Sequence, residues 1–156
     1  MREIKFRAWD IANGKLIYSS EDKLIIPPAF PVSDYSTLFH RKEGGYYVHG
    51  RSGILMQFTG FKDKNGKEIY EGDIVKQRSE GTFINYGAGE ETFDVDKIYT
   101  GEIVIIASKG VCMRNPKYID MIVDTTKEHK SNQYINVVQY RCEIIGNIYE
   151  DSHLLE

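Results

Sequence analysis

The first stretch of the chain alternates. From Ile4 to Asp10 the residues Ile4, Phe6 and Ala8 fall on one side and Lys5, Arg7 and Trp9 on the other. A period of two is the mark of a half-buried strand. Asn13-Gly14 follows, then the apolar run Lys15-Leu-Ile-Tyr-Ser19. Asn-Gly between two such runs predicts a β-hairpin with a type I′ turn, which needs positive φ at both central residues. Tyr46-Tyr-Val-His49 and Ile54-Leu-Met-Gln-Phe58 predict two more strands, separated by Gly50 and Gly53. A second Asn-Gly, at Asn65-Gly66, predicts a reversal between Phe61-Lys62 and Glu68-Ile-Tyr70. Glu71-Gly72-Asp73 then turns the chain into Ile74-Val-Lys76.

Two segments interrupt this pattern. Pro27, Pro28 and Pro31 remove backbone donors, so residues 21–45 read as a surface connection with a short helical turn near Tyr35 to His40. Gln77 to Glu91 is polar and carries Gly81, Gly87 and Gly89, which predicts a long mobile loop. Beyond it the pattern is β again: Thr92–Tyr99, Gly101–Ser108, Val111–Arg114, Tyr118–Asp124, Tyr134–Tyr140 and Cys142–Ile145. Lys109-Gly110, Asn115-Pro116 and the polar run Thr125–Asn132 punctuate these strands as turns. No long segment has a helical period, and the tail from Asn147 predicts one helical turn capped by Asp151 or Ser152. The expected class is mainly β: an N-terminal β-hairpin and connecting region over residues 1–57, then a small β-barrel-like region over 58–156.

Three blocks carry a family resemblance. They are Arg2-Glu-Ile-Lys-Phe-Arg-Ala-Trp-Asp10, the central stretch from Leu55 to Val75, and Glu143-Ile-Ile-Gly-Asn-Ile-Tyr-Glu150 with Leu154-Leu155 behind it. In this order they resemble the YopX family of bacteriophage and prophage proteins. The resemblance implies a β-rich fold encoded by phages or prophages; it supplies no catalytic residues. Residues 76–141 contribute little to it. Tyr70-Glu-Gly-Asp-Ile-Val75 is also similar to the way small SH3-like barrels enter their first strand, which implies such a barrel for the C-terminal part.

Composition refines this picture. Eleven tyrosines and seven phenylalanines beside one tryptophan favour strands, since these rings fit a pleated surface. The net charge of −3 offers no global attraction to nucleic acid or to an anionic membrane. Charge interrupts the N-terminus at nearly every second position, so no export signal is expected there. The longest apolar run, Ile103-Val-Ile-Ile-Ala107, has the length of a strand rather than a membrane span. Cys112 and Cys142 both lie in apolar segments and are expected to be buried free thiols in a reducing cytoplasm, which the family resemblance implies is that of an infected or lysogenic bacterium.

Chemical motifs are sparse. Asp63-Lys-Asn-Gly66 opens like a calcium loop, but its glycine comes two residues early and Ile74 stands where a glutamate is required, so a turn is expected. His40, His49, His129 and His153 lack ligand spacing. Gly87-Ala-Gly89 lacks the lysine and the helix of a phosphate-binding loop, and no serine sits in a Gly-x-Ser-x-Gly elbow. Asp94 and Asp96 share one strand face, which reads as a solvated face. No metal, cofactor or catalytic residue is expected.

One stripe is chemically suggestive. Lys5, Arg7 and Trp9 on one face could grip a phosphate backbone and stack a base. The plainer reading has Trp9 covering the sheet and Arg7 packing over it. Two functional readings follow. The preferred one is a non-enzymatic protein-interaction module that binds a host or phage protein or itself. The other is a nucleic-acid-binding barrel that uses the Lys5/Arg7/Trp9 face. Self-association is expected through the apolar edge strand Lys15-Leu-Ile-Tyr18, unless residues 27–49 fold back over that edge.

Overall fold

The structure is a computed structural model. It describes residues 5–11, 13–18, 23–25, 41–42, 45–47, 53–85 and 91–156, with backbone alone at 23–25, 41–42, 45–47, 80–85 and 91–95. The proline segment and the helical turn expected at Tyr35 to His40 lie outside the described residues. The chain is mainly β and divides into two compact units, Met1–Gly60 and Phe61–Glu156.

In the first unit, β1 (Phe6–Asp10) pairs antiparallel with β2 (Lys15–Tyr18), Asp10 standing opposite Lys15. The hairpin expected at Asn13-Gly14 is therefore present, but its turn is not type I′. Four residues, 11–14, lie between the strands, and only Gly14 among those described has positive φ, at +60°. Asp10 sets the geometry: its backbone carbonyl accepts from the Gly14 N–H at 2.8 Å, and its carboxylate accepts from the Asn13 N–H at 3.1 Å. Three short strands, β3 (Lys23–Ile25), β4 (Arg41–Lys42) and β5 (Gly45–Tyr47), form a separate sheet in the order β3-β5-β4. β6 (Gly53–Lys62) then pairs with β1, placing Met56 opposite Arg7 and Ile54 opposite Trp9. Ala8, Ile17, Met56 and Phe58 are buried in this unit.

The second unit begins with the end of β6, a tight turn, and β7 (Glu68–Tyr70). Here too the Asn-Gly signal is right about the place and wrong about the turn type. The Gly66 N–H donates to the Asp63 carbonyl at 2.9 Å, the Asp63 N–H donates to the Lys67 carbonyl at 2.8 Å, and only Gly66 has positive φ, at +82°. That is a three-residue loop in which a type I-like turn is followed by one left-handed glycine. The main sheet comprises β8 (Asp73–Asn85), β9 (Glu91–Ile106), β10 (Gly110–Asp120), β11 (Asp124–Lys130) and β13 (Cys142–Asn147). Its order is β11-β10-β9-β8-β13, and β12 (Tyr134–Asn136) pairs with β10. Ile69, Val75, Ile103, Met113, Val137 and Cys142 form its buried core.

Three segments expected as breaks are largely strand. The loop expected from Gln77 to Glu91 is largely a ladder, paired from Ile74 opposite Glu102 to Asn85 opposite Glu91. Gly81 sits inside that ladder opposite Val95, and residues 86–90 lie outside the described part. Asn115-Pro116 does not end a strand; it makes a bulge within β10, between Arg114 and Lys117. A bulge is where a sheet tolerates proline, because the ladder is already interrupted. Pro116 is buried there against Gly101, where an added Cβ would lie 2.8 Å from the Pro116 Cβ. Gly101 thus provides clearance inside β9 and does not divide it. The polar run after Asp124 is β11 itself, and its largely exposed, charged sequence suits an edge strand. At the end of the chain Ser152–Leu155 forms the expected helical turn, of 3-10 type.

Candidate functional site

The stripe proposed at the first strand is placed as follows. Arg7 is 2% exposed, with a guanidinium nitrogen 3.6 Å from the Met56 sulfur and its central carbon 6.0 Å from the Tyr18 ring centroid. Lys5 is half-buried, with Nζ 5.6 Å from the Phe58 ring centroid, and Trp9 is half-buried between Leu16 and Ile54 on the neighbouring strands. Packing of the long side chains over their own sheet accounts for these positions.

The turn residues are occupied by structural work. Asp63 Oδ1 accepts from the N–H groups of Asn65 and Lys67, each at 2.9 Å, and Oδ2 accepts from the Ile144 N–H at 3.2 Å. Burial pushes this carboxyl up, but the three N–H donors outweigh burial and hold it below the usual carboxylate value. Asp73 is buried and its Oδ2 accepts from the Tyr70 N–H at 2.8 Å. Gly72, at φ +79°, donates its N–H to the Ile103 carbonyl and accepts from the Ile148 N–H, joining β9 to the tail. Both cysteines are free and buried. Burial raises the Cys112 thiol, and it pushes Cys142 up to about 11, with the Asp63 charge adding to the effect. Neither thiol is set up as a nucleophile.

A surface feature not foreseen in the sequence lies at the β10–β11 turn. Met121, Ile122 and Val123 were expected to continue a strand. They form the turn instead, and they are 37%, 56% and 82% exposed. The tip is held firmly: Asp120 Oδ1 accepts from the N–H groups of Ile122 and Val123, each at 3.0 Å, and the Met121 N–H donates to the Asp96 carbonyl at 2.8 Å. Asp124 Oδ1 accepts from the Thr126 N–H at 3.0 Å and hydroxyl at 2.7 Å. These bonds lower the carboxyls of Asp120 and Asp124, so both stay ionised at neutral pH. Asp96, expected on a solvated face, pairs with Arg78 at 2.5 Å.

Beside the tip, opposite residues of the sheet make two rows on one face. Glu143, Lys76, Thr100, Lys117 and Lys130 form one, and Arg78, Ile98, Ile119 and Glu128 form the next. Between them lies a small cleft of about 110 Å³, lined in part by Lys76, Ile98, Thr100, Lys117, Ile119 and Glu128. Lys117 Nζ reaches Glu128 at 3.2 Å and the Glu156 carbonyl at 3.1 Å. On the opposite face, Tyr118 stacks on His129 at 5.1 Å, with Lys97 Nζ 4.8 Å from its centroid. No group of three metal-ligating side chains converges among the described residues, and no described helix is long and apolar enough to cross a membrane.

The features above define a mainly β protein built from aspartate-braced hairpins, with an exposed, hydrogen-bonded apolar tip. The chain belongs to the YopX protein family, which matches residues 5–156. Its fold is similar to the crystal structure of protein EF1440 from Enterococcus faecalis, with 22% identity, the whole of both chains covered and a TM-score of 0.50. At that identity the likeness concerns the fold alone. No curated protein matches the chain.

Proposed function

We propose that this chain is a non-enzymatic protein-interaction module of a phage or prophage, acting in the cytoplasm of the bacterial host. The observation that carries this reading is the Met121-Ile122-Val123 tip. Turns ordinarily carry glycine, asparagine, aspartate or serine, and a run of exposed apolar residues is a defect unless something covers it. Here the Asp120 carboxylate and the Asp96 carbonyl hold the run in place, which lowers the entropy lost when a partner binds. The cleft beside it, at about 110 Å³, is below the 300–1,000 Å³ usual for small-molecule sites.

Nucleic-acid binding through Lys5, Arg7 and Trp9 has less support. A guanidinium that is 2% exposed cannot meet a phosphate without repacking, and the net charge is −3. The test is capture of protein partners from phage-carrying cells with the native chain and with Val123→Asp, in parallel with retention on single-stranded DNA and RNA. A defined protein retained by the first and lost by the second supports the module. Salt-dependent retention on nucleic acid, with no tip-dependent protein, refutes it.

A further inference from the structure

We propose that the Met121–Val123 tip seats in the Ile98–Ile119 cleft of a second copy of this chain, and that two such contacts form a two-fold dimer. The proposal rests on reading the tip as a contact surface, and it names the partner.

The cleft fits the tip in size and in chemistry. Its volume of about 110 Å³ suits a side chain rather than a metabolite. Ile98 and Ile119 supply apolar lining, and Lys76 and Lys117 bring cations. Lys117 is engaged by Glu128, whereas Lys76 is exposed and makes no ion pair among the described residues. The tip has the opposite character. Asp120 and Asp124 flank three apolar residues, and there is no lysine or arginine between Lys117 and Lys127. Lys97 and His129 face these aspartates from within the same chain and offset part of their charge. A partner that brings Lys76 to the flank of the tip therefore gains an attraction, while Ile122 and Val123 leave water.

Symmetry makes the pairing economical. Tip and cleft lie on the same sheet, so one two-fold axis that places a tip over a cleft places the reciprocal pair as well. The contact is separate from the β2 edge at which association was expected from the sequence.

Analytical ultracentrifugation tests the proposal on the full chain over concentrations of about 1 to 100 μM, with Val123→Asp and Lys76→Glu. Both positions are exposed, so both variants should fold, and circular dichroism checks this. The native chain should dimerise, and each variant alone should weaken the dimer by about tenfold or more. A native chain that stays monomeric overturns the proposal, as does a dimer indifferent to Val123→Asp or to Lys76→Glu. A monomer that still loses a protein partner on Val123→Asp overturns the dimer alone and leaves the interaction module standing. A monomer with no tip-dependent partner removes both.

Discussion

Replacing Asp63 should reveal how strongly one carboxylate fastens the central hairpin to β13. Its Oδ1 holds the N–H groups of Asn65 and Lys67, and its Oδ2 holds that of Ile144. Asp63→Ala strands all three donors. Asn65 and Lys67 are exposed and water can serve their N–H groups, but Ile144 is half-buried. A buried donor left without a partner costs about 1–3 kcal/mol, and two solvent-rescued bonds to a charged group add about 1 kcal/mol, so the total is roughly 3 kcal/mol. Asp63→Asn is the sharper probe. Its single amide oxygen can keep the two turn donors, but its NH2 then faces the Ile144 N–H, donor against donor, for a loss of about 1–2 kcal/mol. The sign of the pH effect follows from the lowered carboxyl. Its folded-state value lies below the ordinary 3.8, so the stabilisation is fully present above that value and is lost as pH falls through the folded value. Urea unfolding followed by circular dichroism should therefore show a gap between native and Asp63→Asn that is widest near about pH 7 and narrows below about pH 4. A gap under about 0.5 kcal/mol at neutral pH, or one that is the same at about pH 3, would refute the reasoning.

Gly14→Ala and Gly66→Ala should each lose about 1 kcal/mol or more: an added Cβ meets nothing within 4 Å at either site, so the loss is backbone strain at positive φ. Unchanged urea midpoints in both variants would contradict that origin. Gly101→Ala should lose about 1–3 kcal/mol for the opposite reason, overpacking against Pro116 and Met113 with no left-handed φ involved, and the measurement is again the urea midpoint. Cys112 and Cys142 should react with a thiol reagent at about pH 8 only as fast as the chain opens, since both are buried and Cys142 is raised to about 11. Immediate labelling of the folded chain would show that the thiols are accessible.

The class of fold was legible because period-two alternation and Asn-Gly pairs are local signals. Phe6 to Asp10, Ile54 to Phe58 and the two hairpins were placed by them. What the sequence hid were features set by the partner strand. Gly81 and Pro116 read as breaks and Gly101 as the start of a strand, yet each lies within a ladder that its neighbours impose. The sequence shows that Gly101 is small; it does not show that Pro116 lies against it. Thr125 to Lys130 is too polar to resemble a strand on periodicity, but an edge strand has little to bury. Met121-Ile122-Val123 misled in the other direction. Its residues favour strands, and what bends them is the carboxylate at Asp120, a residue that composition treats as ordinary surface charge. The same is true of the stripe: alternation puts Lys5, Arg7 and Trp9 on one face, but cannot tell that Met56 and Tyr18 enclose Arg7.

One device links these observations. Asp10, Asp63, Asp73, Asp120 and Asp124 each accept a backbone N–H at a corner, and Asn147 does the same for Tyr149 and Glu150. In an ordinary turn the residues in the loop determine its geometry, through glycine's freedom or asparagine's local bonding. In a turn braced by the preceding aspartate, the backbone is held from outside and the loop positions are released from that duty. At Asn13-Gly14 and Asn65-Gly66 the sequence uses both means. At Asp120 it uses the aspartate without a glycine, and the freed positions hold Met121, Ile122 and Val123. Stability of the corner therefore does not explain these three residues, since polar side chains would serve the same backbone and cost less when exposed to water. The partner contact proposed above would explain them, and that asymmetry is why the tip, rather than the first strand, carries the proposed reading.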